Sequence, residues 1–203
     1  MDPAERRPGP ALAAAQASGF PVGGEPLAVD LADTLVTVTS PPTDLLSNDQ
    51  RNATFWALQA ARLPAGAAAP DISATQAIRA AVRELLDAHL EQRSPAPDAL
   101  ETVNRAAAGA PTSPHLTVSA GGQFTAGIIW HNHDAQACTL AAVVGSVIEV
   151  LTGPAAARLR RCANPACSML FVASDPRRKW CTQNICGNRT RVARHYRRHR
   201  ADA

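Results

Sequence analysis

Four of the five cysteines lie within 25 residues, and they form two pairs with the same spacing. Four residues separate Cys162 from Cys167, and four separate Cys181 from Cys186, with thirteen residues between the pairs. Two such pairs can surround one tetrahedral zinc ion, because each forms a tight turn and the segment between them can fold as a hairpin. Four sulfur ligands leave no position for water. The spacing therefore predicts one structural Zn²⁺, with disulfides as the alternative.

Positive charge is concentrated around and after these cysteines. Residues 1–157 hold 8 of the 20 Lys+Arg and 15 of the 17 Asp+Glu, or −7, whereas residues 158–203 hold 12 and 2, or +10. Guanidinium groups match phosphates and guanine edges, so this segment predicts contact with nucleic acid. The candidate contacts are a cluster before Trp180 and an arginine row on a helix predicted after Cys186: Arg177, Arg178, Lys179, Arg191, Arg194, Arg197 and Arg198.

The segment that carries these residues has few large apolar side chains from which to build a core. With +10 of formal charge it must also overcome its own repulsion. Structural zinc contributes roughly 10 to 16 kcal/mol to the folding of small peptides, which is enough to decide whether such a segment folds. We therefore predict a zinc-ribbon-like module over residues 158–200 that ends in a basic helix.

The preceding residues, 21–153, predict one mostly helical domain with a small sheet, so the fold class is α+β. Apolar residues recur at helical spacing over 71–93, with Asp71 or Ser73 as the N-cap. Further helices are predicted in the second half of 44–63, over 94–109, and from an Asp134 cap to Gly153. Alternation on both sides of Gly121-Gly122 predicts a β-hairpin. Residues 23–38 are interpreted as a brief strand that leads into a helix.

Residues 1–20 are rich in Ala and Pro, and we predict a disordered leader. Arg6-Arg7 raises a twin-arginine export signal as an alternative, but Pro8 and Pro10 interrupt the apolar run that such a signal needs. No stretch reaches 18 uninterrupted apolar residues, which argues against a spanning helix. These observations favour a cytoplasmic protein without a membrane partner.

Other residues with chemical potential have simpler interpretations. Cys138 lies inside an apolar helix, where a small buried side chain is expected. His131, His133 and Asp134 could form a second metal site, although capping is an ordinary role at a strand-to-helix junction. Asp30 and Asp33 could line a pocket, but solvated or capping roles are the alternative. No pairing of nucleophile and base is visible, so we predict that the protein is not an enzyme.

Several motifs together resemble the CGNR zinc-finger family. They are Cys162 and Cys167, the run Arg178-Lys179-Trp180-Cys181, and the run Cys186-Gly187-Asn188-Arg189 that leads to Val192 and Tyr196. In that family the four-cysteine module follows a domain called ABATE, to which stress-induced transcriptional regulation is ascribed. The stretch GGEPLAVDLADTL resembles the opening of that domain, and Trp56, the Ile78 to Leu86 helix and Asn104 fit its middle. Asp33 departs from the family, which commonly has Asn before Thr34.

The resemblance implies a bacterial transcription factor, in agreement with the zinc and arginine patterns. Our hypothesis is a zinc-dependent DNA-binding regulator whose acidic domain receives a small-molecule or protein effector and allows a homodimer. An RNA-binding zinc ribbon is the alternative, because arginine-rich helices serve both polymers. The third hypothesis is an enzyme whose basic tail binds an anionic substrate.

Overall fold

The computed structural model describes residues 12–20, residues 24–181 and Cys186. Its architecture is α+β, as predicted, with helices joined to three small antiparallel two-stranded sheets. The helices are α1 (Leu12–Ala17), α2 (Leu27–Ala32), α3 (Asp49–Gln59), α4 (Ile72–Glu91), α5 (Pro97–Gly109) and α6 (Ala135–Thr152). The strands are β1 (Leu35–Val36), β2 (Thr43–Asp44), β3 (Thr112–Val118), β4 (Phe124–Trp130), β5 (Leu159–Arg161) and β6 (Leu170–Val172).

The main hydrophobic core lies where α2, α4 and α6 pack together. Helix α4 buries Ile78, Val82 and Leu86, which recur every four residues and so share one face. Helix α6 contributes Val143 and Val147 to the same core. Because the core is largely aliphatic, it derives its stability from many moderate burial energies of roughly 1.5 to 3 kcal/mol per side chain.

Side-chain caps begin three of the helices, two of them at the predicted Asp71 and Asp134. Asp71 Oδ1 accepts from the backbone N–H of Ala74 at 2.8 Å, and Asp134 Oδ1 accepts from the N–H groups of Gln136 and Ala137 at 2.9 and 2.8 Å. Asn48 caps α3 in the same way through the N–H of Arg51. Each cap satisfies backbone donors that have no partner within the helix.

Helix α6 is apolar enough to be compared with a membrane span. By length and composition alone its 18 residues, with a mean hydropathy of 1.6, would suffice to cross a bilayer. Here it packs against α2, α4 and α5 and buries Val144 and Val150. It is therefore the central helix of the N-terminal domain, by which we mean the described residues up to Pro154.

Two local predictions are wrong. Part of the predicted disordered leader is folded, because α1 is helical and Ala15 and Phe20 are completely buried in the main core. The Arg51 guanidinium lies 4.1 Å from the centre of the Phe20 ring and donates to the carbonyl of Ser18, which fixes this segment. In residues 23–38 the order of elements is the reverse of the prediction, since α2 precedes β1.

The predicted hairpin around Gly121-Gly122 is present as β3 and β4. Its register pairs Val118 with Phe124 and Thr112 with Trp130, and Gly122 occupies the turn with a φ of +78° that favours glycine. The alternation of apolar residues predicted its strands correctly. However, apart from the half-buried Trp130 the large apolar side chains of this hairpin are exposed, and none of them belongs to the main core.

Candidate metal centre

The four predicted zinc ligands come together in the structure. The Sγ atoms of Cys162, Cys167, Cys181 and Cys186 all lie within 4.8 Å of one another, and those of Cys167 and Cys181 are 3.9 Å apart. Four sulfurs around a tetrahedral zinc ion, each about 2.3 Å from the metal, are separated by about 3.8 Å. All five cysteines are free thiols, so the disulfide alternative is wrong. The cluster can hold one zinc ion.

The thiols are so close together that their ionisation is strongly linked. Hydrogen bonds from the thiols of Cys167 and Cys181 lower the pKa of Cys162 to about 2, because they stabilise its thiolate. The same contact with Cys162 raises the pKa of Cys167 to about 12, and contacts with Cys162 and Cys167 raise the pKa of Cys181. At these distances the sulfurs of Cys162, Cys167 and Cys181 therefore oppose one another's ionisation. A divalent metal removes this conflict, since it stabilises all four sulfurs as thiolates.

The first cysteine pair is positioned by the β5–β6 hairpin and by Asn164. The N–H of Cys162 donates to the carbonyl of Met169 at 2.9 Å, which closes the hairpin around the turn between Cys162 and Cys167. Within the turn, Asn164 Oδ1 accepts from the N–H of Ala166 at 3.0 Å, and Asn164 Nδ2 lies 3.6 Å from Cys186 Sγ. Asn164 thus shapes the first turn and reaches the second pair. The hairpin encloses the first pair, although we expected it between the two pairs.

A small second core lies beneath the cysteines. The buried members of this cluster are Cys162, Met169, Phe171, Ala173, Cys181 and Cys186, and Trp180 packs against them as a half-buried residue. Three of the six buried residues are therefore ligands themselves. We call the described residues 158–181 and Cys186 the zinc module. Its own apolar core is too small to fold without help from the metal or from the N-terminal domain.

Two acidic side chains of the N-terminal domain bind the outer edge of β6. Both carboxylate oxygens of Asp33 accept from the N–H of Leu170, at 2.9 and 3.1 Å, and Glu25 Oε2 accepts from the N–H of Val172 at 2.8 Å. Successive N–H groups along a strand point alternately to its two sides. Those of Leu170 and Val172, two residues apart, both point away from β5. The carboxylates thus take the place of a third strand.

Apolar and ionic contacts complete this junction. Leu159, Leu170 and Val172 extend from the zinc module into the main core. Arg83 donates to Asp87 at 2.9 Å and to the carbonyl of Ser168 at 3.1 Å. Arg161 of β5 also pairs with Asp87, at 3.1 Å. The two regions therefore share a buried boundary with complementary charges.

Asp33 is an unusual buried acid at this boundary. Its side chain is almost completely buried, and desolvation raises its pKa well above the ordinary value. The Leu170 N–H and the Arg83 guanidinium, whose Nη1 is 3.8 Å from Asp33 Oδ1, oppose that shift. The oxygen of an asparagine amide at this position could also accept the Leu170 N–H, so this contact does not require the negative charge.

The predicted nucleic-acid contacts divide into three groups. Arg177 and Lys179 are exposed on the loop between β6 and Cys181. Arg178 instead points inwards: its guanidinium lies 4.4 Å from the centre of the Phe171 ring, pairs with Glu25 Oε1 at 2.6 Å, and donates to the carbonyls of Trp180 and Cys181. Its assignment to a nucleic-acid surface is therefore corrected to a structural role. The arginine row of Arg191, Arg194, Arg197 and Arg198 lies outside the described residues.

Asp134 and Cys138 have the capping and buried roles that the sequence left open, whereas Asp30 is buried in an ion pair and is neither solvated nor a cap. Asp30 pairs with Arg62 at 2.6 Å. His131 Nε2 lies 2.8 Å from Ser113 Oγ, Asp134 caps α6, and the buried Cys138 thiol donates to the carbonyl of Asn132. Among the described residues, the one group of at least three His, Cys, Asp or Glu side chains placed to hold a metal is the four-cysteine cluster.

The N-terminal domain also has a surface cavity of about 560 Å³ between the end of α3 and the following loop. Its wall is formed mainly by alanines together with Trp56, Leu63 and Pro64, and it carries no titratable side chain. The Trp56 indole is held in place because its Nε1–H donates to the side chains of Asn52 and Thr75. The size falls in the range of small-molecule sites.

Comparison with known proteins assigns both parts of the chain. Residues 25–154 match the model of the ABATE family, whose description is "Putative stress-induced transcription regulator", and residues 158–199 match the model of the CGNR zinc finger. No curated protein matches the chain. The family boundary falls between Pro154 and Arg158, where α6 has ended and β5 is about to begin. The chain therefore belongs to the ABATE family and carries a CGNR zinc finger after the ABATE domain.

Proposed function

We propose that this protein is a zinc-dependent DNA-binding transcriptional regulator. The observation that carries the proposal is the position of Cys186, which lies in a four-sulfur cluster directly before the arginine-rich segment 187–200. A metal held by Cys162, Cys167, Cys181 and Cys186 would supply a structural cross-link and no reactive position. The cross-link would anchor the start of the basic segment to a folded surface.

Electrostatics supports DNA as the partner. The +10 of residues 158–203 would attract a polyanion, whereas the −7 of residues 1–157 would repel it. Part of the zinc module's positive charge is already neutralised at the junction, where Arg161 and Arg178 pair with acids of the N-terminal domain. The exposed Arg177 and Lys179 and the arginines after Cys186 remain as the proposed DNA contacts.

The junction supports a regulatory role for the N-terminal domain. Asp33 and Glu25 bind the strand that follows Cys167 by three and five residues, so any effector that moves α2 would act directly on the zinc module. Such coupling needs no long pathway, because the two regions already share one boundary.

The proposal is tested by binding of the full chain to duplex DNA at several salt concentrations, with and without a zinc chelator. If about six arginines contact phosphates, the slope of log K against log salt will be roughly −5. We expect chelation, or the triple substitution of Arg191, Arg194 and Arg198 to Ala, to abolish most of the binding. Arg105→Ala, which removes an exposed charge on α5, is the matched control and should bind like the wild type.

Competition with single-stranded RNA separates the two polymers. Preference for RNA at both low and high salt would favour the RNA-binding alternative, in which unpaired bases stack on aromatic side chains. Trp180 is half-buried against the cysteines, which leaves less of its ring for stacking. Binding that survives both the chelator and the triple substitution would contradict the proposal altogether.

A further inference from the structure

Beyond the Thr112–Trp130 pair at its base, the β3–β4 hairpin has one face that carries only apolar side chains and that nothing in the described chain covers. Side chains of paired residues share a face and alternate along each strand, so this face is formed by Pro114, Leu116, Val118, Phe124, Ala126 and Ile128. Leu116 is 66% exposed, Val118 59%, Phe124 74% and Ile128 57%. We call these six residues the hairpin face. The opposite face carries the polar side chains of Ser113, His115, Thr117 and Thr125, together with Ile129 near its base.

The hairpin face is also free of charge. Residues 112–130 contain no Asp, Glu, Lys or Arg. Natural proteins usually protect exposed strands with charged side chains, particularly lysine, and this hairpin has none of them. Large apolar patches of a few hundred Å² on a soluble protein mark surfaces of interaction. The hairpin face is therefore a candidate surface of interaction.

The hairpin is held firmly at its base, where it joins the helices of the N-terminal domain. The N–H of His131 donates to the carbonyl of Pro111 at 2.9 Å, and Asn132 Nδ2 donates to the carbonyl of Gly109 at 2.6 Å. Trp130 packs as a half-buried residue against a small cluster of Ala110, Cys138 and Ala141. Thr117 and Thr125 link the strands nearer the tip through their hydroxyl groups, 2.6 Å apart. A surface organised in this way loses little conformational entropy when it binds.

We propose that the hairpin face is a homodimer interface, in which it packs against the same face of a second copy. A two-fold interface must be self-complementary, and a charge-free apolar surface satisfies this condition because it meets no like charge on its copy. The exposed side chains present on the order of 500 Å² per copy, so packing two faces together buries about 1,000 Å², which is the lower bound for a specific interface.

Other occupants fit the hairpin face less well. A charged peptide or protein would find no ion-pairing group on residues 112–130. An anionic membrane is attracted by Lys and Arg next to an apolar surface, and these are absent from the hairpin. The inference does not depend on DNA binding, because neither the hairpin face nor its test involves the zinc module.

The test is the mass of the purified, zinc-loaded full chain, measured by sedimentation over a range of micromolar concentrations. We expect the wild type to form dimers. Phe124→Asp should raise the dimer dissociation constant about a hundredfold or more, because two like charges would meet in an apolar interface. Thr125→Asp places the same charge one residue along on the opposite face, where it can still accept from Thr117, and should leave the dimer intact.

A second, milder variant distinguishes loss of the dimer contact from unfolding of the hairpin itself. The double substitution Leu116→Thr and Val118→Thr keeps residues that favour strands while it removes apolar contact, and it should weaken the dimer about tenfold. A monomeric wild type, or equal weakening by Phe124→Asp and Thr125→Asp, would overturn the inference. A monomer that also pellets with lipid vesicles would assign the hairpin face to a membrane surface and would equally overturn it.

Discussion

The N-terminal domain and the zinc module reach a folded state by different physical means. The main core of the N-terminal domain is largely aliphatic and is shared by α2, α4 and α6. The zinc module has a second core of six buried residues, of which three are cysteines. Burial of hydrocarbon is available to any segment with enough apolar side chains, whereas a short basic segment needs a metal or a neighbour. The comparison shows that the zinc module uses both.

The largest expected effect is on the zinc module alone. Cys181→Ser removes one of four ligands, and the zinc contribution of roughly 10 kcal/mol to the folding of residues 158–181 should be largely lost. Metal analysis should find less than stoichiometric zinc after mild chelation, and hydrogen exchange should show lost protection in β5 and β6. The N-terminal helices should keep their protection.

The matched control for this variant is Cys138→Ser. Cys138 is a buried thiol outside the cluster, so its substitution should leave one zinc ion per chain. Full retention of zinc by Cys181→Ser would contradict the four-cysteine assignment.

The next largest effect is on the stability of the N-terminal domain. Leu86 is completely buried in the main core, and Leu86→Ala should lower the free energy of unfolding of the N-terminal domain by about 2 to 5 kcal/mol because it leaves a cavity. Urea unfolding followed by circular dichroism measures this loss. Leu100→Ala, at a position that is 47% exposed on α5, should cost less than about 1 kcal/mol. Loss of zinc from Leu86→Ala would show that the two regions do not fold separately.

A smaller effect concerns the junction between them. Arg178→Ala removes the ion pair with Glu25 and the contact with the Phe171 ring, which should lower the stability of the zinc module by about 1 to 3 kcal/mol. The rate at which a chelator removes zinc is a direct measurement and should increase. Arg177→Ala, one residue away and exposed, should leave that rate unchanged. Equal rates in the two variants would argue against an internal role for Arg178.

The smallest effect is a dependence on pH at Asp33. Burial raises the pKa of Asp33 in the folded protein above its unfolded value, so the folded state binds more protons than the unfolded state between those two pKa values. The free energy of unfolding contributed by this group must therefore fall as the pH rises above about 4 and through the raised pKa. Asp33→Asn removes this contribution while it keeps an acceptor for the Leu170 N–H.

Urea midpoints of the two proteins, measured across the acidic to neutral range with zinc in excess, test this prediction. The Asn variant should become more stable relative to the wild type as the pH rises. The difference between them isolates Asp33, because both proteins carry the same cysteines. Parallel profiles would mean that Asp33 keeps its ordinary pKa in the folded protein.

Features that depend on neighbours in sequence were predicted well. Asp71 and Asp134 act as N-caps because a cap binds N–H groups only two or three residues away. The spacing of the cysteines likewise predicted the cluster, and Cys162 and Cys167 lie on either side of one local turn. The error over residues 23–38 has a physical reason. Every residue of α2 is buried, so its apolar pattern lacks the polar face that distinguishes a helix from a buried strand.

Features that depend on distant residues could not be predicted in this way. Arg178 stands in a basic cluster and looks like a phosphate ligand, but Glu25 neutralises it from 153 residues away. Phe20 lies in a segment whose composition indicates disorder, and its burial depends on α3 and the main core. The hairpin alternation predicted the strands but not whether their apolar face turns inwards or outwards.

The sequence by itself determined the caps, the main helices, the zinc ligands and the family, because short-range geometry and characteristic spacing carry that information. Only the tertiary structure decided that Asp33 and Glu25 bind the edge of β6, that Arg178 is internal, and that the hairpin face is exposed. These contacts join residues far apart in the chain, and periodicity does not encode which buried donor meets which carboxylate. The coupling of the two regions is therefore a property of the fold.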